Sequence, residues 1–92
     1  MPVKILIPTP LRQYVDNLRA VEVDGTTVAD ALADLVARHA AMRKHLFDDE
    51  GGLRSFINIY VNDEDIRHLE RDGTSLDAAD VISIIPSVAG GK

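Results

Sequence analysis

Cysteine is absent from this chain of 92 residues, and tryptophan is absent as well. Without cysteine the chain has no disulfide framework, no thiolate metal site and no cysteine nucleophile. Only four residues are aromatic, so the core is predicted to consist mainly of Val, Ile, Leu and Ala. These four are Tyr14, Phe47, Phe56 and Tyr60.

Basic residues and long apolar runs are also scarce. Ten Lys and Arg against fifteen Asp and Glu give a net charge of -5, whereas a nucleic-acid binder needs a basic patch. The apolar run Val3–Ile7 is too short for a signal-peptide core or a membrane span. We therefore expect a cytoplasmic protein of one domain that binds neither nucleic acid nor membrane.

Several short segments have the periodicity and composition of strands. The second of them alternates apolar and polar residues, and the last is almost wholly apolar, which predicts a central strand buried on both faces. The third is the strongest strand pattern in the sequence, and a short edge strand is predicted after the turn Asn62–Asp65 that follows it. The predicted strands are Val3–Ile7, Arg19–Val23, Phe56–Val61, a short one beginning at Ile66–His68, and Val81–Ile85.

One amphipathic helix is predicted between the second and third strands. Thr26 or Thr27 has the character of an N-cap, and Asp30 lies in the first turn, where a carboxylate favours the helix dipole. The segment Ala40–Phe47 carries a further turn or two, and Asp48–Gly52 is predicted to be an exposed loop. The apolar stripe of the helix is Val28, Ala31, Leu32, Leu35 and Val36.

The element order is strand, strand, helix, strand, short strand, strand. This order predicts an α+β protein with a β-grasp fold, in which a mixed sheet of four to five strands packs on one main helix. The first and last strands are expected to be parallel neighbours, because a crossover separates them. Residues 1–86 form the predicted domain, and residues 87–92, with Gly90 and Gly91, form a predicted flexible tail.

Three segments of the chain resemble one family. They are V-K-I-L-I-P-T-P-L-R near the start, F-I-N-I-Y-V-N-D-E-D-I-R in the middle, and D-V-I-S-I-I-P-S-V-A-G-G near the end. With the predicted fold, they are similar to the ubiquitin-like MoaD/ThiS sulfur-carrier family. Within that family the chain most resembles the branch that serves thiocarboxylate-dependent cysteine synthesis.

The resemblance implies a carrier and not an enzyme. An E1-like enzyme would use ATP and Mg²⁺ to adenylate the carboxylate of Gly91, and a sulfur donor would then form a thiocarboxylate there. The carrier itself would bind no cofactor. A cysteine-synthase-like partner would transfer the sulfur to an activated serine, and Gly90 would fit the narrow clefts of these partners together with Val88 and Ala89.

Lys92 departs from the family pattern, because the reacting chain ends at the second glycine. Three explanations are open. A zinc-dependent protease of the JAMM type removes Lys92, Lys92 is an addition from a tag, or this chain has lost the carrier chemistry and serves as a binding module.

The predicted docking surface is the sheet face opposite the helix, together with the tail. Phe56, Asn58 and Tyr60 share that face by strand alternation. The two aromatic residues are either exposed anchors for a partner or parts of a small secondary cluster. Arg12 and Arg67 are further candidates for contact with an acidic partner.

Other polar groups of the sequence do not predict a site. Asn62–Asp65 with Asp72-Gly73 lacks the glycine and flanking helices of a calcium loop. Gly51-Gly52 lacks the lysine of a phosphate loop, and Asp48–Glu50 is expected to be exposed. His39, His45 and His68 lie in three different elements and are expected to be surface residues, so no metal site is predicted.

Two other functions are compatible with the same residues. A ubiquitin-like modifier, joined to target lysines through an isopeptide bond, needs the same activated glycine. An inert β-grasp interaction module needs no activation. The sequence does not distinguish these three functions or the pathway that receives the sulfur.

Overall fold

Five strands form one sheet in the computed structural model, which describes residues 2–54 and 57–86. The strands are β1 (Pro2–Leu6), β2 (Ala20–Asp24), β3 (Ile57–Val61), β4 (Glu64–Asp65) and β5 (Val81–Pro86). The α-helices are α1 (Val28–Arg38) and α2 (Arg43–Leu46). Short 3-10 helices lie at Thr9–Tyr14, Ala40–Met42, Ile66–His68 and Arg71–Gly73.

The strand order in the sheet is β2-β1-β5-β3-β4. β1 and β5 are parallel, and the other neighbouring pairs are antiparallel. The mixed five-stranded sheet and the parallel pairing of the first and last strands confirm the predicted β-grasp fold. The predicted bounds of β1 and β2 differ from the observed ones by one residue at each end.

α1 packs its apolar stripe on one face of the sheet, as predicted. The Oγ1 atom of Thr27 accepts a hydrogen bond from the backbone N–H of Asp30 at 3.2 Å, which makes Thr27 the N-cap. On the solvent-facing side of α1, the carboxylate of Asp34 accepts hydrogen bonds from the backbone N–H of Asp24 and from the side chain of Arg38. These bonds hold the pKa of Asp34 below its usual value and fix the helix against β2. The stripe residues Val28, Ala31, Leu32, Leu35 and Val36 are all buried.

β5 lies in the centre of the sheet, but only one of its faces is buried. Ile82 and Ile84 point into the core, whereas Ile85 is 46% exposed. The prediction that the last strand is buried on both faces is therefore wrong. The helices cover one side of the sheet, and side chains on the other side, such as Leu6 and Ile85, stay accessible. We call this second side the open face.

The short fourth strand begins at Glu64, and the prediction of a strand beginning at Ile66–His68 is wrong. Asn62 and Asp63 have φ angles of 51° and 73°, which are typical of a tight two-residue hairpin turn. Glu64–Asp65 therefore pairs with the end of β3 directly after this turn. The carboxylate of Asp65 then accepts the backbone N–H of Arg67 at 2.9 Å. This cap starts a 3-10 helix where the strand was predicted.

The predicted domain boundary falls at the end of β5. Pro86 is the last residue that the structure describes, and residues 87–92 lie outside the described part of the chain. The flexible tail therefore stays a prediction. None of the helices in the described ranges is long and apolar enough to cross a membrane.

Candidate functional site

The end of β5 leads to the residues that sequence reasoning assigns to the reaction. β5 lies between β1 and β3. Pro86, the last residue of β5, is paired with Ile57, the first residue of β3. Ile82 and Ile84 of the same strand are almost fully buried, so the strand is held firmly by the core. The predicted carrier and processing residues Val88, Ala89, Gly90, Gly91 and Lys92 lie outside the described residues.

The open face contains two of the three predicted docking residues of β3. Asn58 and Tyr60 are half-buried on this face, while Ile57, Ile59 and Val61 are buried against the helix side. The predicted alternation of β3 is therefore confirmed for these residues. Phe56 lies outside the described residues.

Strand register brings Tyr60 and Asn58 next to exposed aliphatic side chains. Ser83 of β5 is paired with Leu6 on one side and with Tyr60 on the other, and Ile85 is paired with Asn58. Residues paired across neighbouring strands point to the same face. Leu6 is 40% exposed and Ile85 is 46% exposed, so the open face carries an accessible apolar surface in the middle of the sheet.

Sequence reasoning missed Leu6 and Ile85 as members of this surface. The signal was present, because Ser83 interrupts the apolar run of β5 at the position that faces the open side. Alternation from Ser83 places Ile85 on the same face. We call the four residues Leu6, Tyr60, Ser83 and Ile85 the open-face patch.

Tyr60 is better explained as part of the open-face patch than as part of a secondary cluster. Within the described ranges, the partly buried apolar residues that pack on the core are Tyr14, Phe47 and Leu53, and Tyr60 is not one of them. A half-buried tyrosine beside exposed aliphatic groups has the composition of an interface anchor.

Arg12 and Arg67 are both engaged within the chain. The Nε of Arg12 donates a hydrogen bond to the carbonyl of Ile7 at 2.9 Å. Arg67 forms an ion pair with the buried carboxylate of Asp65 at 2.6 Å. The side-chain and backbone hydrogen bonds from Arg67 lower the pKa of Asp65 to about 2. The charge of Arg67 is therefore already neutralised by Asp65, which makes Arg67 a weaker candidate for contact with an acidic partner.

His45 is not the surface residue that the sequence predicted. Its ring stacks on Tyr14 with 4.1 Å between the ring centroids, and its Nε2 atom is buried without a hydrogen-bond partner among the described residues. Burial lowers the pKa of His45, and the nearby charges of Lys44 and Arg54 lower it further. The prediction failed because Leu46, next along the same short helix, turns the segment into the core.

The acidic and amide groups set aside in the sequence have structural partners. The carboxylate of Asp48 accepts the backbone N–H groups of Glu50 and Gly52, which closes an exposed turn. Asn62 donates to the carboxylate of Asp80. In residues 2–54 and 57–86, no three His, Cys, Asp or Glu side chains are grouped so that they could hold a metal ion.

Comparison with known proteins identifies the family. A model of the ThiS family matches residues 5–91. The sulfur carrier protein CysO of Mycobacterium tuberculosis is 38% identical over 93 aligned positions, which cover 99% of this chain and 100% of CysO. Small archaeal modifier protein 1 of Haloferax volcanii is 39% identical over 72 residues, 77% of this chain and 78% of that protein.

The fold leads to the same relatives. A chain in the crystal structure of the BexX/CysO complex of Amycolatopsis orientalis superposes with a TM-score of 0.87. It is 39% identical to this protein, and the match covers 97% of this chain and 99% of that chain. The family match spans nearly the whole sequence, and the solved relative superposes over nearly its full length. The chain therefore belongs to the ThiS family, as the resemblance of its three segments predicted.

Proposed function

We propose that this protein is a sulfur carrier whose reactive group is the carboxylate of Gly91, formed after removal of Lys92. The observation that supports this most directly is the 38% identity to the sulfur carrier protein CysO over 99% of the chain. The sulfur is proposed to be used in biosynthesis, in the first place of cysteine. The protein itself acts as a substrate of its partners and not as an enzyme.

The chemistry begins with activation of a poor acyl donor. A carboxylate has no good leaving group, so an E1-like partner joins it to the α-phosphate of ATP and releases pyrophosphate, with Mg²⁺ balancing the phosphate charge. A sulfide group from a sulfur donor then attacks the acyl carbon, and AMP leaves. The product is a thiocarboxylate at Gly91, which a cysteine-synthase-like partner uses as a nucleophile towards an activated serine.

The position of the tail after β5 suits this role. Gly90 and Gly91 follow β5, which is paired with a strand on each side. A partner that binds the sheet therefore also has residues 87–91 next to its binding surface. Because glycine has no Cβ, partner groups can close around the carboxylate during adenylation.

The open-face patch is the proposed docking surface for these partners. Its exposed aliphatic groups and Tyr60 have the composition of an interface core. CysO of Amycolatopsis orientalis has been solved in a complex with BexX, which supports a role for partner binding in proteins of this fold. A JAMM-type zinc protease is the proposed partner that removes Lys92, and the proposed compartment is the cytoplasm.

Intact mass spectrometry of the untagged protein from its own cells tests the proposal. The expected species lacks Lys92, a loss of about 128 Da, and gains about 16 Da when sulfur replaces one oxygen. Alkylation with iodoacetamide should trap the sulfur, since the chain has no cysteine that could react instead. Retention of Lys92 on every molecule, with no alkylated species, would overturn the proposal.

A ubiquitin-like modifier is the second candidate function. The 39% identity to small archaeal modifier protein 1 favours it as the alternative. Conjugation would appear as heavier bands that contain this chain and, after trypsin digestion, as branched peptides on target lysines. A small thiolated product without such bands is the result expected of the carrier.

A further inference from the structure

A cavity of about 710 Å³ lies beside α1, and none of the four residues of the open-face patch lines it. It opens between α1, the segment around Phe47–Arg54 and the outer edge of β3. Side chains of Leu32, Val36 and Ile57 form part of its apolar wall. A volume of this size falls within the range of about 300–1,000 Å³ that is common for small-molecule sites.

Arginines are concentrated around this cavity. The chain has seven arginines, and four of them line the cavity, together with the single carboxylate of Asp65. This excess of positive charge is unusual in a chain whose net charge is -5. A cleft with walls of one charge sign focuses the electrostatic field and attracts ligands of the opposite sign. The four are Arg43, Arg54, Arg67 and Arg71.

Three of these arginines have no acidic partner among the side chains that the structure describes. Only Arg67 is neutralised, through its 2.6 Å ion pair with Asp65. Arg54 is oriented by a hydrogen bond of 2.7 Å from its Nε to the carbonyl of Lys44, which leaves its charge uncompensated. Arg43 and Arg71 form no ion pair with any described carboxylate.

Asp48 and Asp49 line a neighbouring cavity, which they share with Arg43 and Arg54. Asp48, Asp49 and Glu50 do not line the cavity beside α1, although the following residues Gly51 and Gly52 do. The carboxylate of Asp48 is directed back at the backbone N–H groups of its own turn, at 2.9 and 3.0 Å. The cavity beside α1 therefore combines apolar walls with a cationic rim.

We propose that this cavity binds a small organic anion, with an apolar body against α1 and β3 and an acidic group at Arg43, Arg54 and Arg71. The acidic group is a carboxylate, a sulfonate or a phosphate, because guanidinium groups bind all three through charge-assisted hydrogen bonds. None of the four residues of the open-face patch lines the cavity, so the proposed binding does not depend on the proposed docking surface.

Titration with 8-anilinonaphthalene-1-sulfonate tests the proposal on the full-length protein. This probe has an apolar ring system and one sulfonate, and its neutral analogue N-phenyl-1-naphthylamine lacks the charge. We expect the anionic probe to bind at least about tenfold more tightly than the neutral one, and NMR shifts to map it to residues of α1 and β3. Equal affinity for the two probes, or shifts confined to the open-face patch, would overturn the proposal.

Two pairs of variants locate the site. Arg43→Gln with Arg71→Gln should weaken binding of the anionic probe about tenfold, whereas Arg19→Gln, an exposed arginine elsewhere, should not. Ala33→Phe places a ring from α1 into the cavity and should abolish binding, while Ala37→Phe on the same helix lies outside it. Both alanines are exposed, so the folded core is not altered.

The remaining outcomes are informative as well. If Ala33→Phe binds the probe as tightly as Ala37→Phe, the cavity is not the site and the proposal is wrong. If a chain ending at Pro86 binds the probe much more tightly than the full chain, residues 87–92 compete for the same cavity, and an exogenous anion is not its occupant. Unchanged affinity in that shortened chain supports the proposed ligand.

Discussion

Leu6 of β1 and Tyr60 of β3 flank the same residue, Ser83 of β5, on the open face of the sheet. The small serine side chain leaves room between a 40% exposed leucine and a half-buried tyrosine. Neighbouring strands are about 4.8 Å apart, so the two side chains form one continuous surface about 10 Å wide. This surface lies on β1, β3 and β5, and β5 is the strand that directly precedes residues 87–92 in the sequence.

The Leu6→Ser variant should weaken binding to the adenylating partner about tenfold. The interface residues whose truncation costs more than about 1 kcal/mol cluster near the centre of the interface, where we place Leu6. Leu69→Ser is a matched control, because Leu69 is 37% exposed, close to the 40% of Leu6, but lies outside the open-face patch. Isothermal titration calorimetry measures both, and an equal loss in the two variants would contradict the assignment of the docking surface.

Gly25 joins β2 to α1 in a place where no side chain fits. A Cβ atom at this position would lie 2.7 Å from the backbone nitrogen of Ala31 and 3.0 Å from its Cα. Because these backbone atoms belong to the helix, they cannot move aside without shifting α1 from the sheet. Gly25→Ala should lower the free energy of unfolding by about 1–3 kcal/mol in urea denaturation.

Gly73→Ala is the control for this prediction. A Cβ atom at Gly73 meets nothing within 4 Å. The stability should therefore stay within about 0.5 kcal/mol of the parent protein. Similar midpoints for the two variants would show that the contact between Gly25 and α1 is not constrained.

Asn62 fastens the turn after β3 to the start of β5. Its side-chain amide donates to Asp80 at 2.8 Å, and its side-chain oxygen accepts the backbone N–H of Val81 at 2.9 Å. Asn62→Asp keeps a residue that tolerates the φ of 51° but places two carboxylates in contact. We expect this variant to lose about 1–2 kcal/mol of stability at pH 7.

A second substitution distinguishes charge repulsion from other causes. Asp80→Asn in the Asn62→Asp background restores one donor and one acceptor, so it should recover most of the loss. Hydrogen bonds from Asp77 and Asn62 hold the pKa of Asp80 below its usual value, and Asn62→Asp removes the second of them. The single variant should therefore become less defective as the pH falls below about 4. Failure of the double variant to recover would rule out this mechanism.

The partly buried ring of His45 makes folding sensitive to acid. Its pKa is below 6.5 in the folded protein, so the unfolded chain binds the proton first as the pH falls. Stability is then lost as the pH falls through the unfolded pKa towards the folded one. In His45→Phe the ring still stacks on Tyr14 but does not titrate, so the melting temperature should fall less between pH 7.5 and pH 5.5.

The comparison is made with His68→Phe, which replaces an exposed histidine. That variant should keep the pH dependence of the parent protein. Differential scanning fluorimetry at several pH values measures all three proteins. The same slope for His45→Phe and the parent would show that another group controls the acid response.

Local patterns predicted the elements, because the information for them lies in consecutive residues. The apolar stripe of α1, its Thr27 N-cap and the alternation of β3 all follow from spacing along the chain. Asn62-Asp63 carried a similar local signal, since both residues favour positive φ, and it would have placed β4 correctly.

The errors concern relations between distant segments. Alternation from Ser83 places Ile85 on the open face, but it does not show whether a second layer covers that face, so the exposed fractions of Leu6 and Ile85 did not follow from the strands alone. The ring of His45 is also covered by Tyr14, which lies more than thirty residues earlier in the chain. The arginine-lined cavity combines residues from several segments, and no spacing in the sequence brings Arg43 and Arg71 together.

The chain end provides the most direct prediction about the carrier reaction. In a chain that ends at residue 91, Gly91→Ala adds a methyl group next to the carboxylate that the partner adenylates. Displacement of a reacting group by about 1 Å can lower a rate about a hundredfold, so ATP–pyrophosphate exchange should fall by that order.

Gly73→Ala in the same chain should exchange at the parent rate, since Gly73 lies in a surface turn with free space around it. Because residue 91 follows the last strand of the core, the melting temperature of Gly91→Ala should equal that of its parent. Equal exchange rates for Gly91→Ala and the parent would mean that the activating enzyme does not enclose this carboxylate, and the proposed site of sulfur transfer would then be wrong.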